Sequence, residues 1–383
     1  MTTWVDTQGG FRDVVRALKD EPVVGLDTEF HRERTYFPQL ALVQLVWGPA
    51  AAQEIALVDA TTVDLAEFGE VLDSETTIVM HSSVQDLEVL LRACDTLPSR
   101  LFDTQIAAGF AGYNGPSLAT LVQGVLGIRL PKGDRLADWL RRPINADQRA
   151  YAAADVEHLL PLHRWLVERL TSSGRLGWAQ DECAQLLVKG ALHRDPNEAW
   201  WKVKEARQLR GKAVGVAQAL AGWRERRAIE TDQPVRFVLP DLALVGIAQR
   251  PPGSVDDLRR VRGLDDRHLR GAMATSIMDV IDEGMALGKD DLRIPPNGDV
   301  DRELRPAVTL VTAWISQLSR QLQIDTTLLA TRSDVEALLR GDESARLAQG
   351  WRAGVLGEDI QRLVEGRAAI SFDGKGGLIL EDR

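Results

Sequence analysis

Apolar residues in the first part of the chain recur in short runs whose spacing shifts between two and about 3.6, and that shift marks where strands give way to helices. Val23-Val24-Gly25-Leu26-Asp27-Thr28-Glu29-Phe30 is an apolar, β-branched run broken by carboxylates at alternate positions. A polar turn, His31 to Pro38, separates it from Leu40 to Val46, which is placed to pair with it antiparallel, and Ile55 to Asp59 makes a third strand. The pattern then changes. Leu65 to Leu72 reads as a short helix, Thr77 to Met80 as a buried strand, Val84 to Arg92 as a helix and Leu101-Phe102-Asp103 as a short strand. Strands that alternate with helices are parallel additions to a sheet.

This element order predicts an α/β domain with a mixed sheet and flanking helices, the ribonuclease-H-like arrangement. Beyond Leu170 the chain turns helical: Leu176 to Leu192 reads as a helix, and His193-Arg194-Asp195-Pro196-Asn197 marks a boundary. A second boundary, Asp290 to Gly298, carries Pro295-Pro296. After it, Arg302 to Leu322, Thr327 to Leu339, Ala345 to Gly350 and Gly357 to Gly366 repeat a helical pattern. The expected domains are therefore 1–190, mixed α/β, followed by two all-α bundles at 195–288 and 298–383.

The charge is unevenly placed. Residues 1–190 hold 26 Asp and Glu against 17 Lys and Arg, while 191–383 hold 30 against 29, so nearly all of the net −10 lies in the first half. Any polyanion bound there needs neutralised carboxylates and local basic patches rather than a general positive field. No span approaches the roughly 18 apolar residues of a membrane helix, and the N-terminus lacks the pattern of a secretory signal, so a cytoplasmic protein without membrane contact is expected. Cys94 and Cys183 stand alone in apolar helical settings and read as reduced core residues.

Residues two apart on a strand share a face, so Asp27 and Glu29 present their carboxylates side by side. Such crowding is costly unless a cation is present, and hard divalent ions such as Mg²⁺ or Mn²⁺ suit oxygen donors. Asp86 follows at the start of the helix after the fourth strand, with Ser82 or Ser83 as its cap. Tyr151 and Asp155 are four apart, hence on one helical face, separated by three alanines that leave room for close approach. Each cluster alone has an ordinary reading as surface polarity, a helix-dipole acid or an alanine-rich helix. Together, in the order Asp27, Glu29, Asp86, Asp155, they describe a metal site. Two ions roughly 4 Å apart could clamp one phosphodiester. Tyr151, with an ordinary pKa of about 10, is a poor base and is better suited to orient the attacking water.

The blocks VVGLDTEFHRERTYFPQLALVQL, MHSSVQDLEVL, LFDTQIAAGF, DWLRRPI and YAAADVEHLLPL cover most of residues 20–165 and resemble the ribonuclease D family of the DEDDy exonuclease superfamily. What the resemblance implies is 3′-to-5′ hydrolysis by two divalent metals, Mg²⁺ or Mn²⁺, with Asp27, Glu29, Asp86 and Asp155 as ligands and Tyr151 as the water-positioning residue. The implied partner is RNA with a free 3′ end, tRNA precursors in particular. Ser82-Ser83 departs mildly from the small residues, glycine among them, more usual in the family at that place. The run Trp223-Arg224-Glu225-Arg226-Arg227 followed by VLPD and a P-x-S-x-x-x-L-like segment resembles the HRDC module, an accessory helical bundle. A second, diverged copy is expected at 298–383.

Weaker candidates surround the acids. Phe30, Tyr36, Phe37, Gln39 and Leu40 are placed to stack or wedge against terminal bases, and His81, Lys132 and Arg135 to touch the nucleic acid. Arg141 and Arg142 suit phosphate contact or a solvated loop. Two other functions remain open at this level: a DNA exonuclease with the same site, since the acids grip phosphate and not sugar, and a non-catalytic nucleic-acid-binding scaffold. The basic run between Lys202 and Arg227 predicts that residues 191–383 set RNA affinity and can be deleted without loss of the chemistry.

Overall fold

The period-two runs form one six-stranded sheet in the computed structural model, which describes residues 1–131, 137–191, 195–295 and 302–383. The strands are β1 (Thr2–Val5), β2 (Val23–His31), β3 (Gln39–Trp47), β4 (Glu54–Asp59), β5 (Thr77–Met80) and β6 (Arg100–Asp103), in the order β1-β4-β3-β2-β5-β6. β3 and β4 run antiparallel, with Gln44 opposite Leu57, whereas β5 is parallel to both β2 and β6, so the sheet is mixed. Two features escaped the sequence reading. β1 adds a parallel edge strand to β4, and the helix Gln8–Leu18 precedes β2, buried through Phe11, Val14, Val15 and Leu18.

Alternation along the strands feeds two apolar layers, one on each side of the sheet. Val24, Leu26, Val43, Leu45 and Ile78 pack with the helices Gln8–Leu18 and Val84–Cys94. Val46, Leu57, Val79 and Phe102 face the helices Ala146–Glu157 and Leu159–Ser172. Cys94 and Cys183 are buried free thiols, and burial pushes both pKa values up to about 12.

The chain divides into two compact units: Met1–Phe30, Leu40–Ala191 and Asp299–Arg383 make the first, His31–Gln39 and Leu192–Gly298 the second. This differs in two respects from the three-part division expected from the sequence: residues 31–39 leave the first segment for the second unit, and 299–383 form no separate bundle. Residues 302–383 share the core of the first unit, through Val308, Val311, Ile315 and Leu329 of the same layer that holds Val46 and Leu160. Trp351 stacks on Trp178 at 5.0 Å and meets Phe110 edge-on at 5.1 Å. Glu182, 8 % exposed, accepts hydrogen bonds from Trp351 Nε1 at 3.1 Å and Arg352 Nη1 at 2.5 Å, with Arg346 Nη2 at 3.3 Å. The segment ends in a hairpin, β7 (Ala368–Phe372) with β8 (Leu378–Asp382), turned by the glycine-rich stretch at Asp373–Gly377.

The second unit is helical. Its core is built by Lys212–Thr231, Asp241–Gln249 and Ala272–Ala286, with Leu220, Leu244, Ile247 and Ile277 fully buried. Two glycines permit the closest crossing: a Cβ on Gly284 would lie 2.5 Å from Val216 Cα, and one on Gly215 would lie 2.4 Å from the Gly284 carbonyl oxygen. Residues 31–39 belong to this unit. The Tyr36 hydroxyl donates to Glu225 at 2.7 Å and the Phe37 amide to Asp232 at 3.0 Å. Among the described residues no helix is long and apolar enough to cross a membrane.

The shared core overturns the expectation that everything past residue 190 is dispensable. A chain ending at Ala191 would leave the partners of Val308, Val311 and Trp351 open to water, and it is expected to lose its cooperative thermal transition in circular dichroism. In the full chain, Arg352→Ala leaves the Glu182 carboxylate with fewer buried partners and should destabilise the first unit by about 3 kcal/mol, read as a lower melting temperature.

Candidate active site

β2 carries Asp27 and Glu29 on the face it shares with Gly25. Gly25 matters because the chain behind the site comes very near: a Cβ there would lie 2.4 Å from Val46 Cγ1 and 3.2 Å from Leu159 Cβ. Leu159 begins the helix Leu159–Ser172, and the preceding helix, Ala146–Glu157, carries Tyr151 and Asp155 one turn apart. Ala152 and Ala154 bury the side of that helix turned to the core. A capping box at Asn145 and Gln148 fixes its start. Asp86 enters from the first turn of Val84–Cys94, where it accepts a hydrogen bond from the Thr28 hydroxyl at 2.5 Å. The structure thus brings Asp27, Glu29, Asp86, Tyr151 and Asp155 together from one strand and two helices.

Mutual repulsion registers in their acidity. The Asp27 carboxyl is raised well above the ordinary range, first by burial and then by the charges of Asp86, Asp155 and Glu29. Glu29 is pushed up to about 8 by burial and by Asp155 and Asp86. Asp86 is raised by burial, with the Thr28 hydrogen bond acting against it. The Tyr151 hydroxyl is hydrogen-bonded to Asp155, and burial together with the surrounding acids raises its pKa, so it stays protonated.

The donor set fits a hard divalent cation: carboxylate oxygens, with no thiolate. Among the described residues no three Asp, Glu, His or Cys side chains are spaced to hold an ion by themselves. Mg²⁺ in general keeps waters and takes substrate phosphate oxygens alongside one or two carboxylates.

A cavity of about 290 Å³ opens over the acids, lined by Asp27, Tyr151 and Asp155 and, opposite them, by His81, Ser82, Gln105 and Ser117. His81 is a fixed wall. Its Nε2–H donates to the Pro116 carbonyl at 3.1 Å, its Nδ1 lies 2.9 Å from Thr104 Oγ1, and burial lowers its pKa. Asp103, buried, caps the helix Thr104–Phe110 and also accepts from the Ser82 and Ser83 amides and the Ser83 hydroxyl. The Ser83 hydroxyl is therefore turned away from capping Val84–Cys94, contrary to the expected role. Ser82 sits at φ 61°, the left-handed region that glycine adopts most readily, which explains why a glycine suits this place.

Arg142 does not reach out to phosphate. It forks onto Asp59, Nε to Oδ2 at 2.6 Å and Nη2 to Oδ1 at 2.5 Å, and also donates to the Ala41 and Trp139 carbonyls. The clamp holds Trp139, whose ring lies 6.1 Å from that of Tyr151. Nothing in the sequence signalled a pairing between residues 83 positions apart. Phe30, Tyr36, Phe37, Gln39 and Leu40 do not line the cavity. Tyr36 and Phe37 are engaged inside the second unit, Gln39 is exposed, and Leu40 packs against the layer of Val43 and Leu45. Lys132 and Arg135 lie outside the described residues.

Comparison with known proteins agrees with this geometry. A family model described as 3′-5′ exonuclease matches residues 2–171, and one described as HRDC domain matches 214–281. A ribonuclease D of Gluconacetobacter diazotrophicus is 36% identical over 380 residues, 98% of this chain and 94% of that protein. The ribonuclease D of Escherichia coli K12 is 32% identical over 372 residues, 94% of this chain and 98% of that one. The crystal structure of Escherichia coli RNase D, described as an exoribonuclease involved in structured RNA processing, superposes with a TM-score of 0.85 at 31% identity, covering 96% of this chain and 99% of that one.

Carboxyls raised in the folded state bind more protons folded than unfolded, so stability falls as pH rises from the ordinary Glu value of 4.5 toward the folded value of about 8. In metal-free buffer the melting temperature is expected to drop between these pH values. Glu29→Gln should flatten the drop and melt about 5 °C above the wild type at pH 8. Equal pH profiles for the two proteins in differential scanning calorimetry would contradict the electrostatic account.

Proposed function

The chain belongs to the ribonuclease D family of 3′-5′ exoribonucleases, and from that premise we propose that Asp27, Glu29, Asp86 and Asp155 hold two divalent metal ions, Mg²⁺ or Mn²⁺, at which the 3′-terminal phosphodiester is hydrolysed. The superfamily is divalent-metal dependent; the number and identity of the ions are the proposal. The observation that carries it is the burial of Asp27 and Glu29 beside Asp86 and Asp155, which raises the pKa of both carboxyls, first by desolvation and then by the neighbouring charges.

The residues divide the work. Asp27, which feels the charges of Asp86, Asp155 and Glu29, would hold the ions together with Glu29, Asp155 and Asp86. Bound there, the ions supply Lewis acidity, activating the water and stabilising the negative charge on the leaving oxygen. Tyr151, kept protonated and hydrogen-bonded to Asp155, orients the water rather than deprotonating it. The rigid wall of His81, Gln105 and Ser117 confines the terminal nucleotide.

The substrate we propose is structured RNA, tRNA precursors being the leading instance, trimmed in the cytoplasm. We also propose that residues 1–190 carry the chemistry, that 195–288 is an HRDC-type domain and that 298–383 descends from a second such module now packed into the catalytic unit. The match over 214–281 supports the middle assignment. Lys202, Lys204, Arg207, Arg210 and Lys212 are exposed along one short stretch and would give the second unit its grip on phosphates.

End-labelled RNA incubated with Mg²⁺ or Mn²⁺ should shorten from its 3′ end, and chelation should stop the reaction. Asp27→Asn is expected to lower kcat roughly a thousandfold, and Tyr151→Phe about a hundredfold with little change in KM. Wild-type trimming by Asp27→Asn would remove that residue from the site.

A further inference from the structure

The placement of Gln44 is costly. It is fully buried in the middle of β3, and both polar atoms of its side chain lack a hydrogen-bond partner. Its neighbours Leu42, Val46 and Leu57 are apolar, so a Leu or Met would pack there without leaving an amide unpaired.

Its address explains its retention. β3 lies beside β2 in the sheet, and only residues 32–38 join them. So short a link makes the pair antiparallel, since a parallel crossover needs about a dozen residues or more. Gly25 and Val46 face one another, as the 2.4 Å approach of a Cβ on Gly25 to Val46 Cγ1 shows. Two residues forward on β2 is Asp27; two back on β3 is Gln44. The two side chains are therefore directly opposed on one face, with Cβ atoms about 5 Å apart.

We infer that Gln44 is a positioning residue for the nuclease: its side-chain N–H, unpartnered in this structure, turns to donate to the Asp27 carboxylate once that carboxylate is ionised beside a cation, fixing the direction in which it presents its remaining lone pairs. This rests on the reading of Asp27 as a metal ligand. The chemistry favours an amide here. It is a donor without charge, so it orients the carboxylate without neutralising it, whereas a Lys or Arg at the same place would compete with the cation. The opposed strand also gives the donor a rigid mount, unlike a loop residue.

The test uses the full chain with Gln44→Met, which keeps length and removes the amide, and Gln44→Asn, which keeps the amide and withdraws it. Mn²⁺ affinity is measured by calorimetry without RNA, and trimming kinetics are followed across Mn²⁺ concentrations. Gln44→Met should bind Mn²⁺ about tenfold more weakly, show an unchanged KM for RNA, recover kcat at saturating Mn²⁺, and melt no lower than the wild type in metal-free buffer. Gln44→Asn should fall between. Wild-type Mn²⁺ affinity in Gln44→Met overturns the inference, and if that variant does not fold, wild-type affinity in Gln44→Asn does so. Asp27→Asn separates the two levels: normal Mn²⁺ binding and trimming there would remove the underlying site reading, while loss of both alongside a silent Gln44→Met would remove only the role of Gln44.

Discussion

Like charges forced together at the end of one strand are the constraint on which this molecule is built. Asp27 and Glu29 are half-buried and pushed toward protonation by the charges of Asp86 and Asp155, and both would be less costly almost anywhere else. The apolar layers on both sides of the sheet supply the free energy that keeps them there. β2 is central in the sheet, with β3 on one side and β5 on the other, so its backbone cannot move to relieve the crowding.

Holding the walls of such a pocket takes more chain than the pocket itself. Asp103 gathers the Ser82–Ser83 turn on one side, and its own amide donates to Cys183 Sγ at 3.3 Å. Cys183 is next to Glu182, which is locked by Trp351 and Arg352 from the far end of the sequence. The last eighty residues are thus joined to the cavity wall by a short series of buried polar contacts. On the other side the Arg142–Asp59 fork fixes the segment that sets Trp139 against Tyr151. Both devices are ion pairs with one or both partners buried, so their worth lies in geometry more than in net stability.

Legibility followed the cost of breaking a pattern. Acids inside an apolar strand run, as at Asp27 and Glu29, stand out because burying them needs a reason, and the strands from β2 to β6 are short apolar runs bounded by turns. β1 (TTWV) opens on two threonines and carries no apolar run, and β7 and β8 flank a glycine-rich turn that reads as a break. The helix Gln8–Leu18 has the right spacing in Phe11, Val14, Val15 and Leu18, but opens with two glycines that resemble a break. Amphipathic helices after residue 302 announced that a face is buried, not what buries it, and so their place in the first unit's core was hidden. Tyr36 and Phe37, aromatic and close in sequence to the acids, were drawn to the site by that proximity alone. Glu225 and Asp232, nearly two hundred residues away, hold them instead.

The uneven charge has a physical sense once the site is in view. An exonuclease must bring a polyanion to a cluster of its own anions, and a catalytic unit with general negative charge discourages the chain from lying across it except where cations neutralise both partners. Attraction is then best supplied elsewhere, by residues such as Lys204 and Arg210, which are exposed and far in sequence from any of the four acids. In the proposed reading, salt would screen the attraction of the polyanion, while the chemistry would depend on the occupancy of a site that the protein leaves short of positive charge.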